Sequence, residues 1–229
     1  MRIAAILPAA GLGTRMGSEM PKQFLELSGL PLVVFTLRRL AECSALTHFY
    51  IATLPEEVAG LERRLGQEKL GRPVRVLRGG ATRQESVARA LAEVPADADL
   101  VLVHDAVRPL VTGEIIHEVI DAAKKYGAAI AGLPAVDTVK QVERTAEGAI
   151  VKGTIPRAGV VLAQTPQGFR YSVIKKAFDE AAADGFMGTD EASLAERAGH
   201  EVAVVMGSAK NIKITTPGDM ELAEFYLRK

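Results

Sequence analysis

The run IAAILPAAG, residues 3–11, decides the fold class of this chain. Its first five residues are continuously apolar, and Pro8 and Gly11 close the run. A short apolar run that ends at proline and glycine is typical of a strand in a parallel sheet, because such a strand is buried on both faces. The sequence therefore begins with a predicted core strand that leads into a glycine-rich loop.

Predicted helices and strands alternate from this strand to Pro134. The run PLVVFTLRRLAEC, residues 31–43, has apolar residues at helical spacing and begins with proline, which is favoured at helix starts. The further predicted strands are residues 48–54, 73–77, 99–105 and 128–134, and the predicted helices are residues 56–69, 82–94 and 114–126. This alternation predicts an α/β fold with a mostly parallel, twisted sheet and helices on both faces.

The pattern changes after Pro134, where apolar and polar residues alternate over residues 137–165. Glu147-Gly148 provides a turn and Pro156 breaks the alternation. We therefore predict a β-hairpin arm at about residues 137–160, protruding from a single domain that spans residues 1–229. A long excursion of this kind usually makes a subunit contact or covers a site. The remaining predicted elements are helices at residues 171–183, 190–198 and 217–227 and a strand at residues 201–207.

Composition limits the possible functions. Lys and Arg total 28 and Asp and Glu total 28, so no overall charge favours nucleic acid or an acidic membrane surface. Cys43 is the only cysteine and lies in an apolar helical stretch, which indicates a core position rather than a disulfide or a nucleophile. No apolar run approaches the roughly 18 residues of a membrane span, and the N-terminal run is too short for a signal peptide. We expect a cytoplasmic protein.

The loop LPAAGLGTRMGSEMPKQF, residues 7–24, is the first candidate binding segment. Its glycines follow a strand, as in a dinucleotide-binding motif, but Pro21 lies inside the segment and the next helix begins only near Pro31. The Walker A pattern does not match either. Small residues that free backbone N–H groups, together with Arg15 and Lys22, suit the oxygens of a triphosphate. The alternative is a surface loop with two solvated cations.

Five sequence blocks together resemble one enzyme family. They are PAAGLGTRMG with PKQF, GGATRQESV, VHDAVRP, TDEAS and NIKITTPGDMELAE, in this order along nearly the whole chain. With them the chain resembles the 2-C-methyl-D-erythritol 4-phosphate cytidylyltransferases of bacteria and plastids. The opening block alone is shared by many nucleotidyltransferases, whereas the set of five is specific.

The resemblance implies a fold, a reaction and a cofactor. The fold is a Rossmann-like, three-layer nucleotidyltransferase fold. The reaction joins CTP and 2-C-methyl-D-erythritol 4-phosphate into 4-diphosphocytidyl-2-C-methyl-D-erythritol and releases pyrophosphate, with Mg²⁺ as cofactor, in the non-mevalonate isoprenoid pathway. Because the attacking phosphate is already an anion, the reaction needs no general base, and electrostatic stabilisation carries the catalysis.

The resemblance also implies which residues form the site. Asp105 follows the most strand-like run of the chain, and a carboxylate at the end of a parallel strand suits Mg²⁺. The implied nucleotide-binding residues are Pro8, Ala9, Ala10, Gly11, Gly13, Gly80, Ala81, Ser86 and Ala106, and the implied catalytic residues are Arg15, Lys22, Arg157 and Lys213. The implied acceptor-binding residues are Asp105, Arg108, Thr138, Arg157, Thr165, Thr189 and Lys213, with Asp105 also as the metal ligand.

Structural roles compete with several of these assignments. A hydroxyl or carboxylate near a helix start is often a cap rather than a ligand. His104 is expected to be structural, and Arg83 is either an ordinary first-turn cation or a ligand. The competing roles are a helix-face hydroxyl for Ser86, a turn or cap for Asp105, a salt bridge to Asp105 for Arg108, a helix cap for Thr189 and a surface charge for Arg157.

The arm predicts an assembly. A two-stranded hairpin standing alone is marginal in water, so the arm needs a partner, and a two-fold homodimer supplies one. If two chains exchange arms, Arg157 would serve the site of the neighbour.

Other functions remain possible at this stage. The nearest is a cytidylyltransferase for ribitol 5-phosphate or an enzyme for a sugar 1-phosphate. A non-catalytic nucleotide-binding protein is disfavoured by the joint presence of Arg15, Lys22, Asp105 and Lys213, and an oxidoreductase is disfavoured by Pro21 and the missing helix.

Overall fold

The computed structural model describes residues 1–11 and 20–228. Apart from the short pair β2 and β3, strands and helices alternate up to Pro134, as predicted. The strands are β1 Ile3–Ala9, β2 Glu26–Leu27, β3 Leu30–Pro31, β4 His48–Thr53, β5 Val74–Arg78, β6 Leu100–Val103, β7 Ala128–Pro134, β8 Val139–Thr145, β9 Gly148–Ile155, β10 Val161–Arg170 and β11 Ala203–Met206. The helices are α1 Leu32–Ala41, α2 Val58–Leu65, α3 Arg83–Ala92, α4 Gly113–Tyr126, α5 Tyr171–Asp184, α6 Glu191–Arg197 and α7 Pro217–Leu227.

Seven strands form the central sheet, in the order β11-β7-β10-β6-β1-β4-β5. Neighbouring strands pair in parallel except where β10 joins β7 and β6. The predicted α/β fold with a mostly parallel sheet is therefore confirmed. The chain leaves β1 towards β4 and later returns to its other side at β6, so the strand order reverses at β1. In open α/β sheets, ligands bind outside the carboxyl ends of the strands at such a reversal.

β10 is a strand that the sequence did not predict, and it begins just beyond the predicted arm of about residues 137–160. Residues 161–165 belong to this main-sheet strand, not to the alternating segment that we assigned to residues 137–165. Pro166 and Gly168 interrupt the run, and proline inside an apolar run argues against a central strand. The strand accommodates them where its register with β7 shifts between Ala163 and Gln167.

Both faces of the sheet are covered, which explains the continuous apolar runs. On β1, Ile3, Ala5 and Leu7 pack on one face with α1, α2 and α4. Ala4 and Ile6 face the opposite side, where α3, α5 and α6 complete a second core. Cys43 is buried in the first of these cores, as predicted.

The hairpin of β8 and β9 protrudes from this body. Its strands pair antiparallel from Val139 and Ile155 to the turn at Thr145 and Gly148. Apolar side chains along it remain exposed within the single chain, namely Val142, Ile150, Val151 and Ile155. Over the residues that the structure describes, no helix is long and apolar enough to cross a membrane.

Candidate active site

A pocket lies at the carboxyl ends of β1, β5 and β6, at the reversal of strand order. The segments that follow these three strands all contribute to it, together with a loop before α7. Its lining residues are Pro8, Ala9, Ala10, Gly11, Lys22, Gln23, Gly80, Ala81, Thr82, Arg83, Ser86, Asp105, Val107 and Lys213. The sequence-predicted residues of the nucleotide and metal sites thus meet here, except those discussed below.

Residues Pro8 to Gly11, at the end of β1, form one wall together with Lys22 and Gln23. Gln23 is buried beneath it and donates from Nε2 to the carbonyl oxygen of Ala9 at 2.7 Å, which anchors the segment that carries Lys22. Gly13 and Arg15, which we predicted to bind the triphosphate, lie outside the described residues. Their roles stay predictions.

The loop between β5 and α3 forms the opposite wall and is shaped by its own side chains. Thr82 caps α3, because its hydroxyl accepts from Glu85 N–H at 3.1 Å. The Ser86 hydroxyl accepts from Gly80 N–H at 3.0 Å and donates to the Thr82 carbonyl at 2.9 Å. Ser86 is therefore both a pocket-lining residue and the side chain that shapes the loop, and its role in nucleotide binding stays a prediction.

A carboxylate surrounded by cations lies at the base of the pocket. Asp105 is buried and contacts Arg83 Nε at 3.1 Å through Oδ1, and Lys213 Nζ at 2.8 Å through Oδ2. Arg108 Nε is 3.5 Å from Oδ2, an ion pair without hydrogen-bond geometry. Arg108 also donates from Nη1 to the Asn211 carbonyl at 2.7 Å, which ties the Lys213 loop to this cluster.

Charge determines the protonation of this cluster. Burial raises the pKa of the Asp105 carboxyl, but Arg83, Lys213 and Arg108 lower it by more, so its pKa lies well below the usual range. Burial lowers the pKa of Arg83, but Glu191 and Asp105 raise it by more, so its pKa lies above the ordinary value. Asp105 is therefore an anion, and the three cations exceed the charge of Asp105 and Glu191 by one, which suits a phosphate.

Glu191 is a site residue that the sequence did not reveal. It begins α6, is buried, and receives two hydrogen bonds from Arg83, Nη1 to Oε1 at 2.7 Å and Nη2 to Oε2 at 2.9 Å. The sequence offered only a carboxylate two residues after Thr189, a pattern that usually marks a helix start. Arg83, whose role the sequence left open, bridges Glu191 and Asp105 and lines the pocket, and a direct contact with a ligand stays a prediction.

A buried network fixes the backbone beneath Asp105. The His104 Nε2 atom lies 3.1 Å from the Arg108 carbonyl, which can only accept, so Nε2 carries the proton. His104 Nδ1 then accepts from the Thr165 hydroxyl at 3.0 Å, and that oxygen accepts from Asp105 N–H at 3.1 Å. Burial lowers the pKa of His104 to about 4, so the ring is neutral near pH 7. His104 is structural, as predicted.

Several predicted site residues do not line the pocket. Ala106 is buried and its carbonyl accepts from the Thr36 hydroxyl at 2.9 Å. Thr165 lies beneath Asp105, as described above. Thr189 is exposed in the loop before α6, and the helix cap there is Asp190, so the competing cap role for Thr189 is wrong.

Two more predicted residues lie on or beside the arm. Thr138 is exposed just before β8. Arg157 is exposed in the short 3-10 turn after β9 and donates to the carbonyl of Val136. Neither is among the residues that line the pocket of its own chain. Their assignment to the acceptor site stays a prediction.

The pocket residues fit a divalent cation that arrives with a phosphate ligand. Within residues 1–11 and 20–228, no cluster of three or more His, Cys, Asp and Glu side chains could hold a metal ion. Asp105 is the one carboxylate among the described lining residues. Mg²⁺ is often held by one or two carboxylates together with substrate phosphates and water, so a single ionised carboxylate beside a phosphate site is sufficient.

Comparison with known proteins gives the family. The family model described as 2-C-methyl-D-erythritol 4-phosphate cytidylyltransferase (IspD) matches residues 3–229. The chain is similar to a protein of that name from Acidobacterium capsulatum, with 57% identity over 100% of this chain and 98% of the relative. A second relative of that name, from Solibacter usitatus, is 49% identical over 100% of this chain and 97% of its own length.

Solved structures agree. The crystal structure of 2-C-methyl-D-erythritol 4-phosphate cytidylyltransferase from Thermus thermophilus superposes with a TM-score of 0.80 at 34% identity, covering 100% of both chains. These matches extend over the sheet, the pocket and the arm together. The chain therefore belongs to the 2-C-methyl-D-erythritol 4-phosphate cytidylyltransferase family.

Proposed function

We propose that the protein transfers the cytidylyl group of CTP to 2-C-methyl-D-erythritol 4-phosphate, giving 4-diphosphocytidyl-2-C-methyl-D-erythritol and pyrophosphate for isoprenoid precursor synthesis. One observation carries the proposal beyond family membership. Lys22, Arg83 and Lys213 converge on one pocket around the ionised Asp105, between two loops of small residues. An excess of positive charge in a concave, partly buried site is what two phosphate-bearing substrates require.

The two loops divide the nucleotide between them. The segment after β1 offers small residues, Pro8 to Gly11, past which phosphates can approach the backbone. Gly80 and Ser86 on the opposite wall face the space left for the base. Thr82 and Arg83 at the N-terminus of α3 also line the pocket, and the positive dipole end of the helix favours the negative charge of the phosphates in it.

The chemical step follows from these positions. An oxygen of the acceptor phosphate forms a bond to the α-phosphorus of CTP, and the bond from that phosphorus to the bridging oxygen of the β-phosphate breaks. The electron pair of the broken bond leaves with pyrophosphate, and no proton must be removed from the nucleophile because the attacking phosphate oxygen is already an anion. Negative charge grows on the departing group and on the α-phosphoryl oxygens, where Lys22 and Lys213 stabilise it.

Asp105 has two tasks in this scheme. It holds Lys213 and Arg83 in fixed positions at the base of the pocket. It is also the residue that would hold Mg²⁺, which, when bound with the triphosphate, supplies further charge neutralisation.

The acceptor side is completed, in our proposal, by a second copy of the chain. The exposed apolar side chains Val142, Ile150 and Val151 give the arm a surface to bury, and a two-fold dimer would bury it on the neighbour. Thr138 and Arg157, which do not line their own chain's pocket, would then reach the acceptor phosphate in the neighbour's pocket. We place this reaction in the cytoplasm, because both substrates are highly charged phosphates.

A release assay tests the proposal. Pyrophosphate release is measured with 2-C-methyl-D-erythritol 4-phosphate against CTP, UTP, ATP and GTP, and then with CTP against ribitol 5-phosphate. We expect kcat/KM to be highest for CTP with 2-C-methyl-D-erythritol 4-phosphate. Equal or higher kcat/KM for ribitol 5-phosphate would contradict the proposal and favour the alternative acceptor.

A further inference from the structure

Glu191 is a buried carboxylate for which the reaction scheme gives no direct task. Its side chain is 1% exposed, and both of its oxygens accept from Arg83 in a two-pronged contact. Burial raises the pKa of Glu191, which shows that the charged form is costly at this position. Paired buried charges are frequently no more stabilising than apolar residues of the same size. The pair therefore needs a reason other than stability.

The geometry of Arg83 gives a reason for keeping this buried ion pair. A guanidinium held at both terminal nitrogens has little freedom, because the group is planar and its donors are fixed relative to one another. The third nitrogen of Arg83, Nε, then points at Asp105 Oδ1 at 3.1 Å. Glu191, Arg83 and Asp105 thus form a continuous line from α6 to the base of the pocket.

A neighbouring side chain, Gln84, also connects α3 to the region of α6. Gln84 follows Arg83 on α3, donates from Nε2 to the Phe186 carbonyl at 3.0 Å, and accepts from Gly188 N–H at 2.9 Å. The start of α3, which closes the nucleotide loop, is therefore fixed to the loop before α6. That loop carries Thr189, a predicted acceptor ligand.

We propose that Glu191 is a positioning residue, which fixes Arg83 against Asp105 and so keeps the nucleotide loop and the acceptor loop in register for transfer. This inference rests on the proposed function and adds a residue to it. Glu191 itself touches no substrate in this account.

The test is Glu191→Gln, which keeps the shape of the side chain and removes its charge. Displacing groups that align two substrates lowers the rate of the chemical step, on the order of 10- to 100-fold. We expect a loss of this size in kcat, with KM for CTP changed by less than about threefold, because the Ser86 hydrogen bonds that shape the base-binding wall do not involve Glu191. The matched control is Glu196→Gln, at an exposed position of the same helix, which should retain native kcat.

Measuring Glu191→Gln in the Arg83→Lys variant as well distinguishes a positioning role from a general loss of structure. Arg83→Lys removes the two-pronged contact, so Glu191→Gln should change kcat by less than about twofold when added to it. If Glu191→Gln does not fold, Glu191→Asp is measured in the same two backgrounds, because it keeps the charge and shortens the reach.

The results distinguish failure of the positioning role from failure of the proposed function. An active native protein in which the Glu191 substitution leaves kcat unchanged, or lowers it by the same factor in both backgrounds, would overturn the positioning role alone. A native protein that releases no pyrophosphate from CTP with the acceptor would overturn the proposed function instead, and with it the positioning role.

Discussion

Single residues set the charge of the pocket, and Asp105 is central among them. It is kept ionised by Arg83, Lys213 and Arg108, and it holds these cations close to one another where they would otherwise repel. Removing any member changes the electrostatic field that the phosphates meet.

Lys22→Ala should lower kcat on the order of 10²-fold or more, the range for loss of one preorganised stabiliser of developing charge. CTP binding should weaken much less, since the charge on the phosphates grows only as pyrophosphate departs. Steady-state kinetics and calorimetric titration with CTP measure the two effects, with Lys176→Ala on the exposed face of α5 as the control. Loss of CTP affinity with native kcat would show that Lys22 only binds the ground state.

Asp105→Asn keeps the shape of the side chain and removes the charge that a hard cation requires. Activity should fall, and higher Mg²⁺ should restore part of it. Titration of CTP binding at several Mg²⁺ concentrations gives a readout that does not depend on turnover, and Asp121→Asn on the exposed side of α4 is the control. Native activity and native Mg²⁺ dependence in Asp105→Asn would remove Asp105 from the metal site.

His104 makes a pH-dependent contribution to stability. Its folded pKa of about 4 lies below its ordinary value of 6.5, so the unfolded chain binds a proton first as the pH falls. The contribution is complete above pH 6.5 and is lost as the pH falls to about 4, at a cost on the order of 3 kcal/mol in the free energy of unfolding. Urea unfolding at several pH values should show this slope in the native protein and a flatter one in His104→Gln. Equal slopes would mean that the buried ring takes up a proton without cost.

The pocket residues lie close together because the ends of β1 and β5 pack tightly against the start of α3. Gly79 lies where the ends of β1 and β5 meet α3. A Cβ at this position would lie 2.4 Å from Ala10 Cβ, 2.9 Å from Ser86 Oγ and 3.2 Å from the Thr53 carbonyl oxygen. Only glycine allows the two walls of the pocket to approach this closely.

Gly79→Ala should therefore destabilise the protein by about 1–3 kcal/mol, the usual cost of overpacking, and should weaken CTP binding because the walls must separate. Denaturant unfolding and CTP titration measure both. Gly113→Ala, where an added Cβ meets nothing within 4 Å, is the control and should leave CTP binding at its native value. Native CTP affinity in Gly79→Ala would show that the close approach is not needed for binding.

Some of these elements could be predicted from the sequence and others could not. Continuous apolar runs such as β1 identified the buried parallel strands, because both faces of each strand are covered. β10 was missed because Pro166 and Gly168 argue against a strand, and only its pairing with β7 and β6 holds it there. Glu191 was missed for a related reason: its partner, Arg83, is more than a hundred residues away, and no local pattern records that contact.

In a single chain, the arm formed by β8 and β9 leaves apolar side chains exposed to solvent. Val142, Ile150, Val151 and Ile155 are exposed along β8 and β9, and Arg157 at the base of the arm does not line its own pocket. A homodimer with interlocking arms would bury these apolar side chains and would bring Arg157 to the pocket of the neighbouring chain.

Co-expression of Lys22→Ala and Arg157→Ala tests this arrangement. If Arg157 acts across the interface, a mixed dimer has one site with both lesions and one intact site, so activity should reappear although each variant alone is inactive. Verified mixed dimers without activity would place Arg157 in the site of its own chain. A native protein that sediments as a monomer would remove the premise.

In our proposal, one pocket joins CTP to 2-C-methyl-D-erythritol 4-phosphate. The most direct measurement is ³¹P nuclear magnetic resonance of the native protein with both substrates and Mg²⁺. We predict that the acceptor monophosphate signal is replaced by the two coupled signals of a diphosphate diester, together with an equal amount of pyrophosphate. Conversion of CTP to CMP or CDP, with the acceptor signal unchanged, would contradict cytidylyl transfer to this acceptor.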